Sequence, residues 1–354
     1  MRVATLTFQS ALNYGAVLQA YALREAIRGL GHECDVLNYK CPAIENSYRY
    51  FPAPLTPKGF ASGIVNYSWK NRRKAVFRDF AQNQLCLGEP LGSLDIAEAV
   101  CGYDAFVVGS DQVWNPKLTG GDTAYFLDFA EGKKRISYAA SAGNGIDDLL
   151  SSDNLLAAIG NFDHVGVREF DLANRLAPKV DKDVSTVVDP VFLVDRGKWL
   201  EMASAGTDGA SYVLAYGLHE PSVYTTAESV ASKHGLRCVY VPLSRKTRCS
   251  GTEVAAPSVE EFLGLIANAS VVITDSFHVA SFSLIFERPL LVQLKTQLVG
   301  MNSRLTTLLE SAGIAGQAIL PQDDIPNFDY ADVAERLAQH RDDSMKWLEE
   351  SLDE

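Results

Sequence analysis

His278 follows an apolar run, Val271-Val272-Ile273-Thr274, and two residues of helix-capping type, Asp275 and Ser276; a second apolar run, residues 279–286, comes after it. This pattern predicts a buried strand, a tight turn and a helix with His278 in its first turn. An imidazole there can carry a proton near neutral pH, and the free N–H groups of a helix start can hold an anion. Arg168, just past residues 164–167, and Arg304, just past Asn302 and Ser303, supply planar cations that grip a carboxylate or phosphate through two hydrogen bonds. A polar loop, Gly109-Ser110-Asp111-Gln112-Val113-Trp114-Asn115-Pro116, empties from the apolar run 103–108. Together these residues suit an anionic ligand such as a carboxylate or phosphate. Singly, each has an ordinary alternative: His278 packs against a neighbour, the arginines form surface ion pairs, and Trp114 fills a core.

The elements that must position these groups alternate along the chain. Residues 3–8 read as a strand, Asn13 caps a helix through 16–30 that Gly31 ends, and 34–39 is a second strand. This βαβ opening implies a parallel sheet, and no G-x-G-x-x-G follows its first strand. Further strands are expected at 103–108, 125–129, 135–141, 164–167 and 184–188, with a helix at 148–160. The second half repeats the rhythm, with strands at 212–216, 237–241, 271–274 and 290–293 and helices at 222–234, 258–268 and 304–312. The expected fold is α/β: two doubly wound Rossmann-like domains, 1–192 and 193–328, facing a cleft, with a last helix in 329–354 packing back toward the first. In such sheets ligands bind outside the carboxyl ends of the strands, where the chemistry-bearing residues fall.

One segment, 42–85, breaks the alternation. Pro42, Pro52, Pro54 and Pro57 argue against a continuous helix through residues 42–68, and Tyr48, Tyr50, Phe51, Phe60, Tyr67 and Trp69 make the segment aromatic. Lys70, Arg72, Arg73, Lys74 and Arg78 follow, on a helix expected to reach about Leu85. Such a run is either a solvated face or a basic surface resting near anionic lipid headgroups.

The formal net charge of −12 over 354 residues argues against a nucleic-acid partner, which needs a basic face. Six cysteines, at 34, 41, 86, 101, 238 and 249, show neither C-x-x-C nor zinc spacing, so no metal site is expected and a reducing compartment is. No run has the length of a signal peptide's apolar core or a membrane span. The expectation is a cytoplasmic protein, with peripheral contact at the inner face of the membrane through Lys70–Arg78.

The order and spacing of several motifs resemble the polysaccharide pyruvyl transferase family. They are Asn13-Tyr14-Gly15-Ala16-Val17-Leu18-Gln19, residues 104–114, Ser137-Tyr138-Ala139-Ala140-Ser141, Val167-Arg168-Glu169, Asp189-Pro190-Val191-Phe192, Thr274-Asp275-Ser276-Phe277-His278 and Asn302-Ser303-Arg304-Leu305. The resemblance implies a fold similar to the B-type glycosyltransferases. It also implies transfer of pyruvate from phosphoenolpyruvate onto two hydroxyls of a hexose in a cell-surface or capsular glycan, sometimes lipid-linked. Phosphoenolpyruvate is then a co-substrate, and no metal or organic cofactor is implied. The resemblance puts His278 on the family's catalytic histidine. The donor is expected at Arg168, Arg304, Asp275, Ser276 and Ser303, and the acceptor at Asn13, Tyr14, Ser110, Asp111, Gln112 and Trp114. Some members carry an arginine two residues before the histidine and a glycine after it; here Ser276 and Val279 stand there, and Arg304 is the candidate substitute. A nucleotide-sugar glycosyltransferase and a non-catalytic glycan-binding relative are the other classes open to this fold.

Overall fold

Short β-branched runs separated by helices cannot pair as hairpins, so they cross over and align in parallel. The structure is a computed structural model and describes residues 1–49, 56–93, 95–204, 211–295, 302–321 and 324–354. It contains two compact units, Met1–Val194 with His340–Glu354, and Asp195–Gln339. The first holds β1 (Arg2–Leu6), β2 (Glu33–Val36), β3 (Ala105–Val108), β4 (Lys134–Ala140), β5 (His164–Val167) and β6 (Val184–Thr186), in the order β2-β1-β3-β4-β5-β6. All neighbours are parallel. The strand order reverses direction at the β1/β3 boundary, a topological switch point.

The helix Tyr14–Gly29 links β1 to β2, and Asn13 caps it by accepting from the Gly15 and Ala16 N–H groups at 2.9 and 3.4 Å. Most of this helix is buried. At Gly109 a Cβ atom would lie 3.0 Å from Leu23 Cδ2 and 3.3 Å from Thr7 Cβ, so a larger residue would press on the helix and β1, and glycine lets the end of β3 settle between them. Behind the sheet, Leu348 and Leu352 join the core formed by Val3, Ile27, Val107 and Tyr138. Trp347 tilts against Tyr138 at 6.2 Å, and Ser344 accepts the Val188 N–H through its Oγ at 3.0 Å. The end of the last helix, Tyr330–Asp353, is thereby built into the first unit.

The second unit holds β7 (Tyr212–Tyr216), β8 (Arg237–Tyr240), β9 (Thr252–Glu253), β10 (Val271–Thr274) and β11 (Leu290–Val292). Their order is β11-β10-β7-β8-β9, again all parallel, with the switch point between β7 and β10.

Three expectations change. Residues 125–129 form no strand: a 3-10 turn spans Thr123–Phe126, opened by Asp122 accepting from the Ala124 N–H. Tyr125 and Phe126 are buried by ring packing, which an apolar run alone does not distinguish from a pleat. The helix at 148–160 divides into Ile146–Leu150 and Asp153–Gly160, with Ser151 and Ser152 between. In the aromatic segment the helix begins at Pro57, well before Lys70, and reaches Asn83. A proline in the first turn forfeits no intrahelical hydrogen bond, so Pro57 starts this helix where it was expected to prevent one. Tyr50, Phe51, Pro52 and Pro54 lie outside the described residues.

Candidate functional site

In the second unit, the loops that follow β7, β10 and β11 lie side by side, because their strands are adjacent. β10 delivers Asp275, Ser276 and then the helix Phe277–Ile285, whose first turn carries His278. Ser276 caps that helix, its Oγ accepting from the Val279 N–H at 3.5 Å. The Phe277 ring meets His278 edge-on at 5.3 Å, and the imidazole is half-buried. Residues 279–284 are buried, so the helix is fixed by packing, with Phe277 and His278 half-buried at its head.

Asp275 ties this switch point together. Its carboxylate accepts from the backbone N–H groups of Leu218, His219 and Glu220 at 2.5, 2.7 and 2.9 Å. The loop after β7 is thus held against the loop after β10. Asp275 was expected to contact a donor anion; it is buried, and its carboxylate is engaged by these three amides.

Lys295 lies three residues past β11 and is almost fully buried. Its backbone N–H donates to Asn302 Oδ1 at 2.9 Å, and Asn302 Nδ2 donates back to its carbonyl at 3.0 Å. This clamp brings Lys295 to the head of the helix Ser303–Ser311, where Ser303 and Arg304 are half-buried. Burial first, and then the Arg304 guanidinium, push the Lys295 ammonium below its usual pKa of 10.5, against the opposing pull of Asp275 and Glu220. Burial and Lys295 likewise lower the pKa of His219. The net field thus disfavours charge on a buried lysine, and an anion placed there would relieve it. Lys295 and His219 carried no motif in the sequence. A charged residue two positions past the apolar run 290–293 is the available signal, and it lies outside the motifs that hold Arg168 and Arg304.

In the first unit, the expected site residues prove largely internal. Arg168 and Asp189 have side chains 3% and 0% exposed and meet at 2.7 Å through Nη1 and Oδ2. Ser110 Oγ donates to the same oxygen at 2.8 Å and accepts from Arg168 Nη1 at 3.2 Å. Glu169 approaches Arg168 Nε at 3.5 Å while accepting from Ser141 Oγ at 2.5 Å. This buried network links the ends of β3, β4, β5 and β6. The Arg168 guanidinium, expected to face the donor, is engaged by protein carboxylates. Trp114, expected at the acceptor, is fully buried: it lies parallel to Phe126 at 5.8 Å, edge-on to Phe162 at 5.7 Å, and donates from Nε1 to the Tyr125 carbonyl at 3.0 Å. Tyr14 is 3% exposed and tilts against Phe77 at 4.9 Å.

Asp111 adopts φ +74 and Ala139 φ +53, conformations that non-glycine residues seldom take. Asp111 forms a parallel bridge with Ala140, the residue after Ala139, where the β4 register slips. The Asp111 Oδ1 accepts the Gln112 N–H at 2.9 Å, and Gln112 Oε1 accepts from Asn115 at 2.9 Å. Of the polar loop, Gln112 is half-buried, whereas Ser110 and Trp114 are fully enclosed.

Two parallel-sheet units, each with polar groups at its switch point, define the architecture of the B-type glycosyltransferases and the epimerases that share it. Among solved structures, the UDP-GlcNAc 2-epimerase of Methanocaldococcus jannaschii in complex with UDP-GlcNAc and UDP is similar at 13% identity, covering 96% of this chain and 93% of that one, with a TM-score of 0.52. A second structure of the epimerase from that organism is 10% identical over the same shares, with a TM-score of 0.50. At such identity the likeness concerns the fold alone. No curated protein matches the sequence. The family model for polysaccharide pyruvyl transferase matches residues 13–292, so the chain belongs to that family. Among the described residues, no helix is long and apolar enough to cross a membrane.

Proposed function

We propose that the protein transfers the pyruvyl group of phosphoenolpyruvate onto two hydroxyls of a hexose in a cell-surface glycan, free or lipid-linked, as a cyclic ketal. The observation carrying this reading is the placement of His278 and Lys295 past the ends of the adjacent strands β10 and β11, with Arg304 beside Lys295, in a chain of this family. Lys295 and Arg304, with the head of the Phe277–Ile285 helix, bind the carboxylate and phosphate of the donor; Ser276 and Ser303 shape the two helix heads. One sugar hydroxyl adds to the enol carbon as the methylene carbon gains a proton to become a methyl group. The carbon–oxygen bond to phosphate then breaks, phosphate leaves with the bonding electrons, and the second hydroxyl closes the ketal. Two hydroxyl protons are released, one matched by the proton on the methyl group and one carried off by phosphate. His278 is the group that moves a proton in this sequence. Phosphoenolpyruvate enters as co-substrate, and the balance calls for no further cofactor.

Incubation with phosphoenolpyruvate and a set of oligosaccharides should release phosphate and yield pyruvylated sugar in equal amounts. Consumption of a nucleotide sugar with phosphoenolpyruvate left intact would instead establish the glycosyltransferase alternative, and binding of glycan with neither consumed would establish the non-catalytic one.

Lys295→Ala should raise the donor KM about ten- to a hundredfold, the loss of one charge-assisted contact. The bound anion favours the ammonium, so donor affinity is greatest below the pKa of Lys295 and falls as pH rises through it. Because that pKa lies below 10.5, the fall begins earlier than for an ordinary lysine. Lys295→Arg keeps its charge and should flatten the fall; a donor KM with the same pH profile in the Arg and wild-type forms would remove Lys295 from the donor site.

For the peripheral membrane contact, the helix Pro57–Asn83 exposes Phe60, Ile64 and Tyr67, four and three residues apart and thus on one face, with Arg72 exposed nearby. Lys70 and Arg73 turn to protein carbonyls, those of Arg49 and Leu12. The apolar stripe therefore takes the larger share of the proposed contact. Sedimentation with vesicles containing anionic lipid should fall severalfold in a Phe60→Ser, Ile64→Ser variant; wild-type protein that stays in the supernatant refutes the contact.

A further inference from the structure

A cavity of about 750 Å³ opens in the first unit, at the carboxyl ends of β1 and β2, where the loop carrying Gln9 and Ser10 and the loop carrying Asn38 and Lys40 meet the helix Pro57–Asn83. Its volume is in the range of small-ligand sites. Lys40, Lys74 and Arg78 line it from two separate elements, and the carboxylates on its walls are Glu45 and Glu89. The lining is thus net positive by one charge in a chain whose net charge is −12. Lys40 Nζ is oriented by donating to Ser10 Oγ at 2.9 Å. Burial lowers the pKa of Lys74, and the carboxylate of Glu45 opposes that shift.

Two neutral acceptors share these walls. Gln9 is 1% exposed, and its Nε2 donates to the Tyr39 carbonyl at 2.8 Å, which leaves Oε1 buried without a hydrogen-bond donor. Asn38 repeats the arrangement: Nδ2 donates to the Gly88 carbonyl at 2.8 Å, and Oδ1 is buried without a donor. Buried acceptors left this way are costly unless a ligand donates to them. Amide oxygens suit sugar hydroxyls; converging ammonium and guanidinium groups suit a carboxylate or phosphate.

We propose that this cavity binds an acidic sugar unit of the acceptor, its hydroxyls donating to Gln9 and Asn38 and its anionic group held among Lys40, Lys74 and Arg78. The role as acceptor site rests on the transferase reading above; the binding itself does not. The test is a calorimetric titration of the full chain, without phosphoenolpyruvate, against glucose, glucuronate, glucose 6-phosphate and inorganic phosphate. At least one acidic sugar should bind about tenfold or more tightly than glucose, the gain of a charge-assisted contact, and more tightly than phosphate alone. Glucuronate and glucose 6-phosphate distinguish a carboxylate from a phosphate as the anion recognised. A Lys74→Gln, Arg78→Gln variant, altered only at half-buried and exposed positions, should lose the preference for acid over glucose while keeping its thermal transition; Gln9→Glu should lose acidic-sugar binding through like-charge repulsion. Equal affinity for glucose and both acidic sugars, equal affinity for phosphate alone, or an acid preference intact in the double variant would each overturn the proposal. Acidic-sugar binding that the double variant abolishes, in a protein that leaves phosphoenolpyruvate unconsumed, would overturn the transferase reading and uphold the cavity.

Discussion

His278→Gln is expected to give a folded protein that still binds phosphoenolpyruvate and turns over about 10²–10⁴-fold more slowly, the usual cost of losing a general acid–base. The local structure makes this substitution a clean one. β10 is buried at all four positions and Ser276 caps the helix that follows, so the backbone at 278 is set by neighbours. Ser281 and Ser283 donate back to the Phe277 and Val279 carbonyls at 3.0 and 2.7 Å, which fastens the first turns of the helix further. Glutamine retains a hydrogen-bonding head of similar reach but cannot accept and release a proton. Lys295 and Arg304 remain to hold the donor, so its KM should change little while kcat collapses. A merely structural histidine would give the reverse: a lower melting temperature and near-normal kcat in the protein that stays folded. Measuring kcat, donor KM and Tm on the Gln and Ala variants separates these outcomes, and a Gln variant with near-normal turnover would leave the proton donor unassigned.

The parts of this molecule visible in its sequence are those set by local pattern. Residues 164–167 and 212–216 are strands with the bounds their apolar runs suggest, and His278 occupies the helix head that Asp275 and Ser276 announce. What pattern could not show is where a polar side chain points once the sheet is assembled. Asp275 reads as a site residue by position, yet its partners are amides more than fifty residues earlier, brought close only because β7 and β10 pair. Lys295 is hidden for the same reason: its nearness to Arg304 depends on the clamp to Asn302, a contact across the loop. Trp114 sits in a polar loop and reads as available, whereas Tyr125, Phe126 and Phe162 enclose it from segments distant in the chain. The start of the helix Pro57–Asn83 is not legible because a proline reads equally as a helix breaker and as a first-turn residue.

Arg168→Ala should act on stability first, losing about 3–5 kcal/mol, because removal of one partner from a buried ion pair strands the other. Asp189 is fully enclosed, and neutral help remains from the Ser110 hydroxyl and the Val191 N–H, the latter donating at 3.2 Å. Glu169, 8% exposed, would lose its nearest cation as well. At about 2–4 °C per kcal/mol for a unit of this size, the transition of the first unit should fall on the order of 10 °C. The sequence pointed to donor binding at Arg168, and the two roles give opposite signatures. If the pair is structural, the donor KM of the Ala variant, measured cold where it stays folded, equals the wild-type value. Replacing both partners in Arg168→Met, Asp189→Leu should then recover part of the lost stability, since the fully enclosed charge of Asp189 is gone and only Glu169 is left without its cation. If Arg168 instead serves the donor, the Ala variant melts close to wild type and its KM for phosphoenolpyruvate rises. Ser110 links the two cases: Ser110→Ala removes one hydrogen bond from Asp189 while leaving the charges matched, so its cost should be nearer 1 kcal/mol. A loss as large as that of Arg168→Ala would mean that the network, rather than the ion pair, holds the ends of β3, β5 and β6 together.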